Sequence, residues 1–332
     1  MKNLIKWGIL GCGKISKKFV HSMEVIKDSQ VIAVASRTPA KAEQFASEFN
    51  IPAKYDNYEQ LLQRDDIDAV YIATTHNFHF ECLEMAIAAK KAILCEKPFT
   101  VNAREAEIII KKARDNNVFL MEGMWTRFLP AMVQVRDWLK KNSIGKIRQI
   151  RADFGICPQK DPSGRLFDLN LAGGALLDTG IYPVSFASMV SGKKSRKIIS
   201  HAVMGDTGVD EQSVYIFHYD DNSLAVLSSA IQAKLTNRAE IIGETGKIII
   251  PPNFIGAQLA ELHRFGNKNT DKVETDFLPK TGFSFEIQEV NQCLRKNKLE
   301  SAIMPLDETF HIMQTLDEIR SDWGLHYSND NI

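Results

Sequence analysis

Trp7-Gly-Ile-Leu-Gly11-Cys12-Gly13-Lys14-Ile15-Ser16 is the stretch from which the fold can be read. A short apolar run over 7–10 ends in a glycine pair, and residues 14–26 then repeat apolar side chains at helical spacing. In a strand–turn–helix unit Gly11 makes the tight turn and Gly13 lets the backbone approach a pyrophosphate. The helix beyond supplies N–H donors and a positive dipole end. Ser16 stands where the usual fingerprint has Gly or Ala, and it is small enough for the helix to pack closely on the strand. The reading is a dinucleotide-binding turn, with Gly11, Cys12, Gly13, Lys14 and Ile15 against the cofactor.

Outward from this turn, strand-like runs over 31–35, 69–73, 92–95 and 118–121 alternate with helical patterns over 39–49, 81–90 and 103–114. Strands of four to six residues between helices of ten or more predict βαβ units in a parallel sheet covered on both faces. After about Trp125 the pattern changes. One helix over 128–140 precedes strands over 147–156, 197–204, 213–219, 224–231, 238–242, 247–250 and 273–277. Tyr219-Asp-Asp-Asn-Ser223 and Gly243-Glu-Thr-Gly246 read as hairpin turns, so these strands pair mainly antiparallel. Helices over 283–295 and 306–321 close the chain, with a loose tail from Ser328. The predicted class is α/β. Residues 1–123 form an N-terminal Rossmann doubly wound parallel sheet that binds NAD(P). Residues 124–332 form a C-terminal α+β domain on a large open, mostly antiparallel sheet, for substrate binding and dimerisation.

Composition narrows the function. The 332 residues carry 41 Lys+Arg against 41 Asp+Glu, so no broad basic surface exists for nucleic acid or an anionic membrane. No apolar run approaches the roughly 18 residues of a membrane span, and the N-terminal residues lack the apolar core of a secretory signal. The 5 cysteines, Cys12, Cys82, Cys95, Cys157 and Cys293, form no CxxC pair and no metal-like spacing. The expectation is a cytoplasmic protein with no metal, no membrane and no nucleic-acid partner.

The second strand ends Ala35-Ser36-Arg37-Thr38, without the carboxylate that would hold the ribose hydroxyls of NAD. The Arg37 guanidinium, with the Ser36 and Thr38 hydroxyls, suits the extra phosphate of NADP, and NAD use stays open. Cys95-Glu96-Lys97-Pro98 closes a parallel strand, at the end where ligands of open α/β sheets collect. Gly173-Gly-Ala-Leu-Leu-Asp178-Thr-Gly-Ile-Tyr182-Pro183 sets an aspartate and a tyrosine four residues apart, on one face if the segment is helical.

These features together resemble the glucose–fructose oxidoreductase / inositol dehydrogenase / rhizopine-catabolism (Gfo/Idh/MocA) family of NAD(P)-dependent oxidoreductases. The resemblance runs over nearly the whole chain and includes Ala73-Thr74-Thr75-His76-Asn77 with His79. Met121-Glu-Gly-Met-Trp125-Thr-Arg127-Phe-Leu-Pro130 and Asp178-Thr-Gly-Ile-Tyr182-Pro look like its dimeric dihydrodiol dehydrogenase and NADP-dependent xylose dehydrogenase branch. Many family members have Pro where Thr75 stands, and inositol dehydrogenases have His where Tyr182 stands. The second difference argues against a plain inositol dehydrogenase.

The resemblance implies hydride transfer between the nicotinamide and a carbinol or carbonyl of a sugar, polyol or cyclic trans-diol, in a cleft between the domains. Tyr182 would accept the hydroxyl proton. A free phenol titrates near about 10 and is a poor base at neutral pH, so a neighbouring Lys97 ammonium would favour the phenolate. Asp178 would orient the pair or a substrate hydroxyl. Thr74, Thr75, His76, Asn77, His79, Glu96 and Lys97 would lie near the cofactor, and Trp125, Arg127 and Phe154 near the substrate. The alternatives are an NAD-linked sugar dehydrogenase, redox-assisted glycoside cleavage and a non-catalytic NADP-binding regulator. A homodimer is expected through the C-terminal sheet, where Ser213-Val-Tyr-Ile-Phe-His218 and Leu224-Ala-Val-Leu-Ser228 alternate apolar side chains between the two faces.

Overall fold

The computed structural model describes residues 4–277 and 281–331; residues 1–3 of the N-terminal run lie outside them. The chain forms two compact units, Met1–Trp125 with Leu278–Phe310, and Thr126–Phe277 with His311–Ile332.

The first unit holds a sheet of β1 (Ile5–Leu10), β2 (Ser29–Ala35), β3 (Ala53–Tyr55), β4 (Ala69–Ile72), β5 (Ala92–Glu96) and β6 (Leu120–Gly123). Its order is β3-β2-β1-β4-β5-β6 and every pairing is parallel. β4 and β5 are buried along their whole length, as a sheet covered on both faces requires. Helices α1 (Lys14–Met23), α2 (Pro39–Phe49), α3 (Tyr58–Leu62), α4 (His79–Ala88) and α5 (Ala103–Asp115) connect the strands. Strand order reverses between β1 and β4, so the loops at the carboxyl ends of those strands open a crevice where nucleotides bind in folds of this type.

The second unit begins with α6 (Pro130–Lys140), β7 (Ile147–Gly155) and α7 (Ile181–Ser191). Strands β8 (Lys197–Met204), β9 (Asp210–His218), β10 (Leu224–Ala230), β11 (Ala239–Gly243), β12 (Gly246–Ile250), β13 (Leu259–Arg264) and β14 (Thr270–Glu274) follow. Together with β7 they form one eight-stranded sheet in the order β14-β13-β12-β11-β7-β10-β9-β8. All neighbours are antiparallel except β7 and β10. β9 alternates buried Ser213, Tyr215 and Phe217 with exposed Val214 and Ile216. One face of the sheet carries α7 on β7 and β10; the other presents Ile199, Val203, Val214, Ile216, Leu224 and Val226 at 37–57% exposure.

Two helices complete the chain, α8 (Ser284–Arg295) and α9 (Leu306–Ser321). α8 belongs to the first unit: the Asn291 amide donates to Ser29 Oγ at 2.6 Å, and the Leu120 N–H donates to the Leu299 carbonyl at 3.0 Å. That unit is therefore discontinuous in sequence, and a single boundary after residue 123 does not describe it. The tail from Ser328 is not loose through Asn331. It forms a single turn in which the Asp330 carboxylate takes the Arg320 guanidinium through both oxygens, at 2.6 and 2.7 Å.

Candidate functional site

In the first unit the predicted cofactor residues gather at the carboxyl ends of β1, β2, β4 and β5. Gly11 has φ +105°, and a Cβ there would stand 2.5 Å from the Ala73 carbonyl oxygen, so only glycine fits between β1 and β4. The Ser16 hydroxyl donates to the Gly11 carbonyl at 2.7 Å, a bond no Gly or Ala at that position could make. Gly13 is different. Its φ of −84° is ordinary and an added Cβ would meet nothing within 4 Å. None of the described residues demands a glycine there, and its bare backbone leaves the first turn of α1 open to a phosphate. Lys14 is exposed and Ile15 half-buried in that turn. The Cys12 thiol, pushed up to about 11 mainly by burial, stays protonated. The loop thus fits a dinucleotide; among the described residues no group of three or more His, Cys, Asp or Glu could hold a metal ion.

After β2, Ser36 Oγ accepts the Thr38 N–H at 3.2 Å. The exposed Arg37 guanidinium lies over the Phe78 ring, 3.5 Å from its centroid, and hydrogen-bonds the Tyr58 hydroxyl, which burial pushes up to about 12. After β4, Thr74 and Thr75 lead into the turn His76–Phe78, where the Thr75 hydroxyl donates to Asn77 Oδ1 at 2.8 Å. His79 is fully buried, with Nδ1 2.9 Å from the Pro98 carbonyl and Nε2 3.3 Å from that of Thr74. Burial pulls its pKa down, so the neutral ring ties the loop after β4 to the loop after β5 through one N–H at a time.

Glu96 ends β5 with its carboxylate taking the Tyr71 hydroxyl on one oxygen and the Lys97 N–H, at 3.2 Å, on the other. Tyr71 is itself stacked on Phe19, centroids 3.9 Å apart. Glu286 of α8 is fully buried; desolvation, then the charge of Glu96, raise its pKa well above the ordinary range, which keeps it protonated. Trp125 packs its ring 5.2 Å from that of Phe283.

The second unit brings Asp178, Tyr182 and Phe154 together. Leu176–Gly180 is a π-helical turn that runs directly into α7, so the segment is helical as expected but wider than an α-helix at Asp178. The Tyr182 ring meets Phe154 edge-on at 5.4 Å and is 8% exposed. The buried Asp178 carboxylate takes the Arg165 guanidinium at 2.7 Å. Arg127 is 3% exposed, and its guanidinium donates to the Ser185 carbonyl at 2.8 Å and to the Ser185 hydroxyl, one turn past Tyr182. It therefore braces α7.

Residues 5–124 match the model of an oxidoreductase family with an NAD-binding Rossmann fold, and residues 132–249 match the GFO/IDH/MocA C-terminal domain. The chain belongs to this family. It is an NAD(P)-dependent dehydrogenase or reductase of CH–OH groups. The trans-1,2-dihydrobenzene-1,2-diol dehydrogenase of Xenopus tropicalis is 39% identical over 97% of this chain and 99% of its own length. The Homo sapiens enzyme of that name is 35% identical over 98% and 99%. Among solved structures, a 3-ketoreductase from Actinomadura kijaniata in complex with NADP and TDP-benzene superimposes with a TM-score of 0.84 at 25% identity, over 96% of this chain and 98% of that one. In this GFO/IDH/MocA protein no local motif marks Tyr71, Glu286 or Phe78, each of which meets an expected site residue distant in sequence.

Proposed function

We propose that the protein transfers hydride between NADP and a carbinol or carbonyl of a sugar, polyol or cyclic trans-diol. The observation that carries this reading is the convergence of the Gly11–Gly13 turn, Arg37, Thr74–Asn77 and Glu96–Lys97 at the carboxyl ends of parallel strands. The diol dehydrogenases and the NADP-bound ketoreductase named above support the substrate class and the cofactor. NADP is favoured because β2 ends without a carboxylate and because Phe78 and Tyr58 hold the Arg37 fork in one orientation.

When bound, the cofactor supplies the hydride acceptor or donor. The protein supplies the proton path. Tyr182 takes the hydroxyl proton as the carbinol is oxidised, and returns it to the developing alkoxide in the reverse direction. Lys97 is the ammonium that the family resemblance assigns to assist this transfer, and Asp178, paired with Arg165, orients the tyrosine or a substrate hydroxyl. Glu96 sets the Lys97 backbone, Phe154 walls the phenol, and Trp125 lines the substrate.

We also infer a cytoplasmic homodimer. Cys12, Cys82, Cys95, Cys157 and Cys293 are all free thiols, which suits a reducing compartment. The apolar face of β8, β9 and β10 is covered by the same face of a second copy. The test of function is an assay of NADP and NAD reduction across aldoses, polyols, inositols and dihydrodiols. Turnover of a sugar or diol with NADP preferred is expected; no redox turnover of any of these classes would contradict the reading.

A further inference from the structure

The π-helical turn Leu176–Gly180 rests at both ends on buried polar groups of the sheet beneath it. At its start the Leu176 N–H donates to Asp210 Oδ2 at 2.8 Å, and a Cβ on Gly174, whose φ is +118°, would collide with the other carboxylate oxygen. Asp210 is the first residue of β9 and is 0% exposed. The Ser213 hydroxyl donates to the same oxygen at 3.3 Å and joins those of Tyr215 and Ser229, at 2.6 and 3.0 Å, in a buried hydroxyl triangle across β9 and β10. Tyr215 and Ser229 also bond each other. At the far end of the turn a Cβ on Gly180 would stand 2.7 Å from the Tyr215 hydroxyl and 2.9 Å from that of Ser229, so the Gly180 backbone lies directly on the triangle. Two residues later comes Tyr182.

We propose that Asp210 and the Ser213–Tyr215–Ser229 triangle are positioning residues that fix the turn carrying Asp178 and leading into Tyr182. This rests on the reading of Tyr182 as the proton-transfer group. A wide turn with i→i+5 bonding is weakly held by its own backbone, and a buried charged acceptor holds an N–H more strongly than a neutral one. Desolvation raises the Asp210 carboxyl to about 7, so its ionisation falls in the working pH range. The titratable groups facing it are Tyr215 on its own strand and Tyr327 of the C-terminal segment, both raised by burial and hence neutral there. Behind Tyr327, Arg320 and Asp330 pair with each other, and on the carried turn Asp178 pairs with Arg165.

The test compares the pH dependence of kcat and KM for Asp210→Asn, Tyr215→Phe and Tyr182→Phe, with near-ultraviolet circular dichroism to confirm native packing. Asp210→Asn is expected to lower kcat at least ten-fold near pH 8, leave KM for the dinucleotide unchanged and abolish an acid limb of kcat near pH 7. Tyr215→Phe is expected to lower kcat several-fold, and to add nothing when combined with Tyr182→Phe. Parent-like kcat and pH profile in Tyr215→Phe and in a folded Asp210→Asn, with Tyr182→Phe impaired, would overturn the positioning role alone. If Asp210→Asn does not fold, the Tyr215→Phe result decides. Full turnover in Tyr182→Phe would overturn the underlying reading and the proposal with it.

Discussion

Arg37 shows what one side chain decides. Its guanidinium is exposed yet held over Phe78 and against Tyr58, so little conformational freedom remains to be lost in the proposed contact with the NADP phosphate. Arg37→Ala should weaken NADP binding by about 1–3 kcal/mol, the worth of a charged hydrogen bond, and leave NAD nearly untouched. Titration of both cofactors by protein fluorescence checks this, and equal weakening would contradict the NADP preference. A cation just past the second strand was legible, because the apolar run stops at Ala35. The supports were not. Phe78 reaches Arg37 from the turn after β4 and Tyr58 from the start of α3, and nothing local in either segment announces the contact. Arg127 is placed near the substrate by the resemblance alone, and its bond to Ser185 on α7 comes from a segment far away in sequence.

Among elements, long periodic ones were legible and short or polar ones were not. β3 has three residues and α3 five, too few to display a period. β13 was missed because its buried positions, Ala260 and Leu262, alternate with Glu261 and His263 in a run that reads as polar. The strand expected over 273–277 sits at Thr270–Glu274, an exposed edge strand made polar by Asp271, Lys272 and Glu274. α8 was legible as a helix, but not as part of the first unit. It carries Glu286, whose folded pKa is raised well above its unfolded value near 4.5. The protonated form is the one the fold accepts, so the stability this gives is fully present below about pH 4.5 and is lost as pH rises toward the folded pKa. Glu286→Gln keeps the shape and removes the ionisation. Urea unfolding should find it more stable than the parent at pH 8, with a gap that closes toward pH 5 at a limiting slope of about 1.4 kcal/mol per pH unit. A gap independent of pH would exclude a buried neutral carboxyl.

At the scale of the molecule, both sheets follow from one rule. A strand buried on two faces reads as a continuous apolar run, whereas a strand with one open face alternates. That rule separated the parallel sheet from the antiparallel one in the sequence, and it leaves the apolar row Ile199, Ile216 and Val226 in register across β8, β9 and β10. If that row is the dimer centre, Ile216→Lys should give a monomer at micromolar concentration by sedimentation velocity, while the parent sediments as a dimer. A monomeric parent would contradict the assembly. The proposed chemistry turns on proton transfer by Tyr182 assisted by Lys97. Its most direct test is single-turnover hydride transfer in Tyr182→Phe and Lys97→Met, followed by nicotinamide absorbance with a sugar or diol that the parent oxidises. Both variants should react on the order of 10²–10⁴-fold more slowly, with NADP affinity changed far less than the rate, and parent-like transfer in both would contradict the proposal.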